Sequence, residues 1–159
     1  MSTLSVDTIQ GQTVAGTISF PAGYIVQCAV HKWTTEMNTT SGSFVDVNCS
    51  SFNFTPRYST SLLLLQTHCF VRHDSGSSTG GALRFHWNGA IAHDPATYMT
   101  YDDGTGNRYR GLSVQASVTA GTTSAATIKL QSVRYNAGNF WVNWGGNYES
   151  AINVMEIAQ

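Results

Sequence analysis

The stretch Ser61–Val71, "SLLLLQTHCFV", carries four consecutive leucines where most strands alternate between apolar and polar residues. Successive side chains of a strand point to opposite faces, so residues 62–65 place apolar groups on both faces. Such a run is typical of a central strand that is covered on both sides. We therefore predict that this segment lies in the middle of a sheet and organises the core.

The segments around this run alternate with a period of two, as half-buried strands do. Leu83, Phe85 and Trp87 alternate with polar residues, and the pair Asn88-Gly89 that follows is a strong hairpin signal. Eight or nine short strands can be read in this way, and helices are nearly absent, which favours a sandwich or a barrel. The last ten residues, 150–159, are rich in β-branched side chains and are predicted to form a closing strand.

Two further segments place apolar residues on a shared face. In the segment 24–33, Tyr24, Val26, Cys28 and Val30 fall on one side of the predicted strand. The segment 140–144 shows the same period, and it predicts that Phe140, Val142 and Trp144 point one way.

Composition limits the classes of partner. The 159 residues fit one domain, only 11% of them are charged, and the net charge is -1. A surface without basic excess does not bind nucleic acid through phosphates. No run approaches the roughly 18 apolar residues of a membrane span, and the N-terminus lacks the pattern of a signal peptide. We expect no nucleic-acid partner, no membrane insertion and no export by the usual secretory route.

The three cysteines, Cys28, Cys49 and Cys69, are widely spaced and form no CxxC motif. Each lies in or beside an apolar run, where a free cysteine commonly acts as a small buried hydrophobe. One disulfide with a third, free thiol is the alternative that the sequence leaves open.

No catalytic, cofactor-binding or metal site is predicted. His68 and His73 are five residues apart and point to opposite faces of one strand, so they do not share a ligand. The segment Tyr101–Tyr109, "YDDGTGNRY", lacks the spacing of a calcium loop and is interpreted as a turn. Hydrolase and phosphate-binding motifs are absent, and nothing pairs the nine acidic residues. We therefore predict a protein that is not an enzyme.

Aromatic residues are dense after residue 85. Most are predicted to lie in the core or in a subunit interface, while exposed rings beside Asn and Asp suit stacking on a sugar. The candidate surface contacts are Tyr101, Asp102, Asn107, Tyr109, Trp141 and Asn143.

Residues 1–22 are predicted to form an extended arm outside a β-sandwich domain of residues 23–159. The arm spaces its aliphatic residues among Thr, Gln and Gly, so it cannot bury them by itself. It either adds a strand to a neighbouring subunit or to another protein of an assembly, or folds back as the first strand of its own domain. The candidate docking residues are Leu4, Val6, Ile9, Val14 and Ile18.

Three stretches carry a resemblance: "MSTLSVDTIQGQTVAGTISFPAGYIVQ" at the start, "FVDV…FTPRYSTSLLLL", and "INVMEIAQ" near the end. Together they resemble small virion proteins of tailed bacteriophages, common in marine and cyanobacterial phages and usually described as tail-fibre or structural proteins. The resemblance implies an all-β, antiparallel, jelly-roll-like β-sandwich that forms a homotrimer. It also implies a location in the virion, after assembly in the host cytoplasm.

From this resemblance we expect a trimeric knob of tail-fibre or host-contact type, anchored by its arm. Its partners would be copies of itself, other capsid or tail proteins, and a host surface glycan. A head decoration (cement) protein that stabilises the capsid shell is the first alternative. A carbohydrate-binding module or lectin is the alternative from another class.

Overall fold

The computed structural model describes residues 22–74, 79–93, 99–102 and 106–159, without the side chains of His93 and Asp102. The predicted arm lies outside the described residues apart from Ala22, and so do its docking candidates Leu4, Val6, Ile9, Val14 and Ile18. The division of the chain at residue 22 therefore stays a prediction.

The described residues form twelve strands and one short 3₁₀ helix, Asn48–Ser50. The first six strands are β1 (Ile25–Trp33), β2 (Met37–Thr39), β3 (Val45–Asp46), β4 (Phe52–Phe54), β5 (Leu62–His73) and β6 (Thr79–Trp87). The remaining six are β7 (Ala90–His93), β8 (Thr100–Asp102), β9 (Arg108–Thr119), β10 (Ala126–Tyr135), β11 (Phe140–Val142) and β12 (Ser150–Ile157).

The strands form two antiparallel sheets. In the first sheet β5 pairs with β9 on one side and with β12 and β11 on the other, while β1 pairs with β12 and β2 with β11. In the second sheet β10 pairs with β3, β4 and β6, and β6 also pairs with β7 and β8.

The order of pairing is that of a jelly roll. If β3 with β4, and β7 with β8, are each counted as one interrupted strand, eight principal strands remain beside the short β2 and β11. The first then pairs with the eighth, the second with the seventh, the third with the sixth and the fourth with the fifth. This nesting of antiparallel pairs places the strands in two sheets, as in a jelly roll. The predicted jelly-roll-like β-sandwich is confirmed.

Strand β5 is central, as predicted, but it is covered on one face only. Leu63 and Leu65 are fully buried between the sheets. Leu62 and Leu64 point to the other side and are only half-buried. The expectation of cover on both faces is wrong for the described chain, because the second sheet packs against one side of the first and leaves its other side open.

The predicted hairpin after β6 is also present. Leu83, Phe85 and Trp87 are buried between the sheets. Asn88 and Gly89 both have positive φ angles, 49° and 79°, as the two central residues of a type I′ turn require. The turn leads directly into β7, which pairs back on β6.

The closing strand of the chain holds the first sheet together. β12 lies between β1 and β5, and its Ile152 and Val154 are buried in the core. The predicted closing strand is therefore confirmed over residues 150–157. It also provides the partner with which β1 pairs.

One buried carboxylate fixes a loop to this strand. The side chain of Glu156 is fully buried and accepts hydrogen bonds from the backbone N–H groups of Arg57 and Tyr58 at 2.9 to 3.0 Å and from Nε2 of Gln27 at 2.6 Å. Burial alone would raise the pKa of Glu156, but these hydrogen bonds outweigh it and lower the pKa below its ordinary value. The ionised form of Glu156 therefore stabilises the fold.

We expect Leu65→Ala to lower the free energy of unfolding by about 2–5 kcal/mol, the range for a fully buried leucine. The neighbouring Leu64→Ala is the matched control, and it should cost about 1 kcal/mol because half-exposed apolar area contributes less. Urea unfolding at low protein concentration measures both. Equal losses for the two variants would contradict the one-sided cover of β5.

We expect Glu156→Gln to cost on the order of 2–3 kcal/mol at pH 7, since the amide does not replace a charged acceptor. The pKa of Glu156 is lowered in the folded chain, so its contribution is present above the unfolded pKa, about 4.3, and is lost as the pH falls through the folded pKa. The difference between the native chain and the variant should therefore shrink between pH 5 and pH 2, as urea unfolding across that range can show. A difference that is the same at pH 2 and pH 7 would refute this role.

Candidate functional site

The described residues offer no cluster of catalytic or metal-binding groups. Each acidic side chain that the structure describes accepts a hydrogen bond from a protein donor. These residues are Glu36, Asp46, Asp74, Glu149 and Glu156. In the same part of the chain no three His, Cys, Asp or Glu residues meet as metal ligands.

The two histidines of β5 are placed as predicted. His68 is exposed on the outer side of the first sheet, and its Nδ1 lies 2.9 Å from Oγ of Ser113. His73 is buried on the inner side, with its Nδ1 3.1 Å from Oγ1 of Thr79. The opposite directions of His68 and His73 are confirmed.

The candidate site is the outer face of the first sheet, which is the face turned away from the second sheet. Three regions follow one another along its strands. The apolar end consists of Ile25, Cys28, Leu62, Leu64, Met155 and Ile157. The polar middle consists of Gln66, His68, Ser113, Gln115 and Asn153. The aromatic end consists of Phe70, Arg72, Tyr109, Trp141, Trp144 and Tyr148.

The apolar end joins three strands that are far apart in sequence. Ile25 lies opposite Ile157, and Ile157 lies opposite Leu62. In the next row along the strands, Cys28 lies opposite Met155, which lies opposite Leu64. Directly opposed side chains on one face have Cβ atoms about 4.5–5.5 Å apart. The two rows therefore form one apolar surface without a charged group.

The polar middle is a shallow depression of about 260 Å³. Its side chains form hydrogen bonds with one another across the strands. Nε2 of Gln66 donates a hydrogen bond to Oε1 of Gln115 at 3.0 Å. His68 and Ser113 form a similar pair. These groups separate the apolar end from the aromatic end with a polar surface.

The aromatic end is built around one cation. Trp141, Arg72 and Tyr109 lie in one row on β11, β5 and β9. The guanidinium carbon of Arg72 lies 4.1 Å from the ring centre of Trp141 and 3.8 Å from that of Trp144. Arg72 also forms an ion pair with Asp74, with Nη2 and Oδ1 3.2 Å apart. A planar cation stacked in this way holds the two indole rings in place.

A second group of rings at this end reaches solvent. Phe70 stacks on Tyr148 at 4.0 Å and on Tyr109 at 6.1 Å between ring centres. The two tyrosines are 46% and 44% exposed, so their free ring surfaces are open to a ligand. Offset aromatic pairs of this kind present a rigid apolar platform with polar edges.

Two of the predicted surface contacts are buried. Trp141 does leave the core, since Phe140 and Val142 point inward, but Arg72 and Trp144 cover it and only 7% of it is exposed. The period of two predicts the direction of a side chain and not what lies above it. The predicted exposure of Trp141 is therefore wrong.

Asn143 is fully buried as well, so its predicted exposure is also wrong. It adopts a positive φ of 58° at the end of β11. Its backbone N–H donates to the carbonyl oxygen of Phe70 at 2.8 Å and its amide to that of Trp33 at 3.2 Å, while its side-chain oxygen accepts from Ser150. Asn143 thus ties β11 to β5, β1 and β12.

The other predicted contacts lie on two different sheets. Tyr101 is exposed on β8 in the second sheet, whereas Tyr109 is exposed on β9 in the first. Asn107 is exposed in the connection before β9. The side chain of Asp102 lies outside the described part of the chain. Only Tyr109 belongs to the outer face of the first sheet, and a binding role for these residues stays a prediction.

The cysteines differ in burial. Cys69 is buried in the core, as expected, and Cys49 is half-buried. Cys28 is exposed at the apolar end, so the expectation that it is buried is wrong. No disulfide joins the three, all of which lie within the described residues.

Sequence reasoning missed the apolar end as a surface. The signal was present, because the leucines of β5 and the shared face of residues 24–30 both place apolar groups on one side. A register shift between Ile25 and Gln27 then brings Ile25 beside Ile157. For Arg72 and Tyr148 the sequence held no local signal, since their partners come from other strands and loops.

Comparisons with known proteins give matches among solved structures but none by sequence. No protein-family model matches the chain, and no curated protein matches it either. Among solved structures, a mutant VP2 protein of infectious bursal disease virus in derived T=1 particles is 13% identical over 96% of this chain, with a TM-score of 0.43. The T13 particle of the same virus gives 12% identity over 97% and a TM-score of 0.47. This chain spans about two fifths of those chains, 41% and 40%.

The described ranges contain no helix that is both long enough and apolar enough to cross a membrane.

We expect Arg72→Lys to lower the free energy of unfolding by about 1–2 kcal/mol, because an ammonium lacks the planar cationic group that contacts both indole rings. Lys32→Ala is the control. It removes an ion pair with Glu149 in which both side chains are more than half exposed, and it should cost below about 0.5 kcal/mol. Urea unfolding followed by tryptophan fluorescence measures both. Equal stability of the two variants would contradict the stacked arrangement.

Proposed function

We propose that this chain is a non-enzymatic structural subunit of a virion that binds copies of itself and other virion proteins through the outer face of the first sheet. The observation that carries this proposal is the apolar end of that face. In the single chain Ile25 and Cys28 are exposed and the other four apolar side chains of this end are half-buried, and apolar surfaces of this kind mark interaction sites. A low share of charged residues, 11%, is in keeping with a surface that packs against other protein.

The finer proposal is a homotrimeric knob of tail-fibre or host-contact type, held on the particle by residues 1–22. Its support is the resemblance of the three quoted stretches to small virion proteins of tailed bacteriophages. The jelly roll itself hosts viral capsid and lectin domains alike, so the fold is compatible with this role without selecting it. Such a subunit would be assembled in the host cytoplasm and reside in the virion.

A capsid head decoration protein is the alternative within the same class. It would use the same apolar end to bind the shell, and its removal would weaken the particle. A tail-fibre subunit would instead be found at the tail, and its loss would prevent adsorption to the host.

Carbohydrate binding is a second candidate function, favoured by the aromatic end. The rings of Tyr109 and Tyr148 are exposed, and the guanidinium carbon of Arg72 lies 6.0 Å from the ring centre of Tyr109. An apolar ring face stacks on a sugar, and neighbouring polar groups fix its orientation. This function would suit a host-contact protein and would equally suit a free lectin.

We expect the full chain to be a trimer in light scattering over a range of concentrations. Leu64→Asp should shift it towards monomers, because a carboxylate in an apolar interface loses its hydration without gaining a partner. Gln115→Asp, in the polar middle of the same face, is the matched control and should leave the mass unchanged. A monomer at every concentration, or a trimer that ignores Leu64→Asp, would contradict assembly through the apolar end.

A glycan array separates the second candidate from the first. Binding by the isolated chain that is lost in Tyr109→Ala and Tyr148→Ala would favour the host-contact or lectin role. Absence of binding, together with a trimer, would favour the decoration protein.

A further inference from the structure

The apolar end is partly exposed to solvent in the single chain, although it consists of apolar side chains. Ile25 is 55% exposed, and Val30, two residues beyond Cys28 on the same strand, is 58% exposed. Lys32 is the first charged residue on this face of β1, four positions after Cys28. Strand β1 also forms an edge of its sheet, since it pairs only with β12 in the described chain. An apolar face beside a sheet edge is a ready surface for an extended segment.

The described part of the chain begins beside this surface. The N–H of Gly23 donates to the carbonyl oxygen of Ala158 at 2.8 Å, and the N–H of Ala158 donates to that of Tyr24 at 2.9 Å. These bonds fix the point at which residues 1–21 join the domain. That point lies at the end of β1 and β12 that carries Ile25 and Ile157, so the segment starts at the corner of the apolar end.

The length of the segment allows it to leave its own subunit. Ile9 precedes Gly23 by 14 residues, which span up to about 46 Å when extended. A domain of this size has a radius of gyration of about 14 Å and is therefore about 35–40 Å across. Leu4 and Val6 lie further out still. Their side chains can reach the same surface of a neighbouring copy.

We propose that residues 1–21 of a neighbouring copy cover the apolar end of the outer face. Leu4 and Val6 of one copy, which lie on the same side of an extended segment, then lie against Leu62, Leu64 and Met155 of the next. The segment has one charged residue, Asp7, among its 21, so it brings little charge to an uncharged surface. This inference rests on the proposed self-assembly and names the surface and the segment that join the subunits.

Cys28 is a natural reporter for this contact. It lies at the apolar end, opposite Met155, and is exposed in the single chain, whereas Cys69 is buried in the core. A covering segment slows alkylation of Cys28 and leaves Cys69 unaffected. Mass spectrometry after timed exposure to iodoacetamide reads each cysteine separately in the full chain.

The variant Val6→Asp with Ile9→Asp places two carboxylates in the covering segment. The matched control, Thr3→Asp with Ser5→Asp, adds the same charge at polar positions on the side opposite to Leu4 and Val6. In the native chain, labelling of Cys28 should slow by about tenfold as the concentration rises, which corresponds to cover in roughly nine copies of ten. The Val6 and Ile9 variant should label fast at every concentration, and the control should behave as the native chain.

Three results would overturn the proposal. Fast labelling of Cys28 at all concentrations would show that nothing covers the surface. Slow labelling at every concentration that the Val6 and Ile9 variant relieves would assign the cover to the chain's own arm. Slow labelling at high concentration that this variant leaves unchanged would assign it to another part of the second copy.

The outcome can be separated from that of the proposed function. A trimer by light scattering with fast labelling of Cys28 removes this docking surface and leaves self-assembly standing. A monomer with fast labelling at every concentration contradicts both.

Discussion

The structure depends on β5, in which a run of leucines alternates between the two faces of the strand. Because neighbouring side chains of a strand point to opposite faces, this one run supplies apolar groups to two surfaces at once. Leu63 and Leu65 enter the core between the sheets, and Leu62 and Leu64 form part of the outer face. The alternation of side chains along β5 thus contributes both to the core that stabilises the fold and to the surface on which we base the proposed function.

Nested antiparallel pairing extends this constraint to the rest of the molecule. The jelly roll brings β1 and β12, from the two ends of the described chain, beside β5 in its middle. Their outward side chains complete the apolar end, and the point at which residues 1–21 enter the domain lies next to it. Assembly through that region would link the order of the strands directly to the joining of subunits.

Polar groups inside the fold act as fixed points rather than as reactive groups. Glu156 binds a loop to β12 through backbone N–H groups, Asn143 holds the end of β11, and Arg72 keeps two indole rings in place. Each acidic side chain of the described residues accepts a hydrogen bond from a protein donor.

The sequence by itself determined the strands, the hairpin at Asn88-Gly89, the central place of β5 and the direction of most side chains, because these follow from local periodicity and turn chemistry. It could not determine which faces are covered. Trp141 points outward as its period requires, yet Arg72 and Trp144 bury it; Cys28 lies in an apolar run, yet it is exposed. Cover depends on which strands become neighbours and on which side the second sheet packs. The strand pairings join residues up to 132 positions apart in sequence, as Ile25 and Ile157 are. Only the tertiary structure decided them, and with them where the apolar end and the aromatic end of the outer face lie.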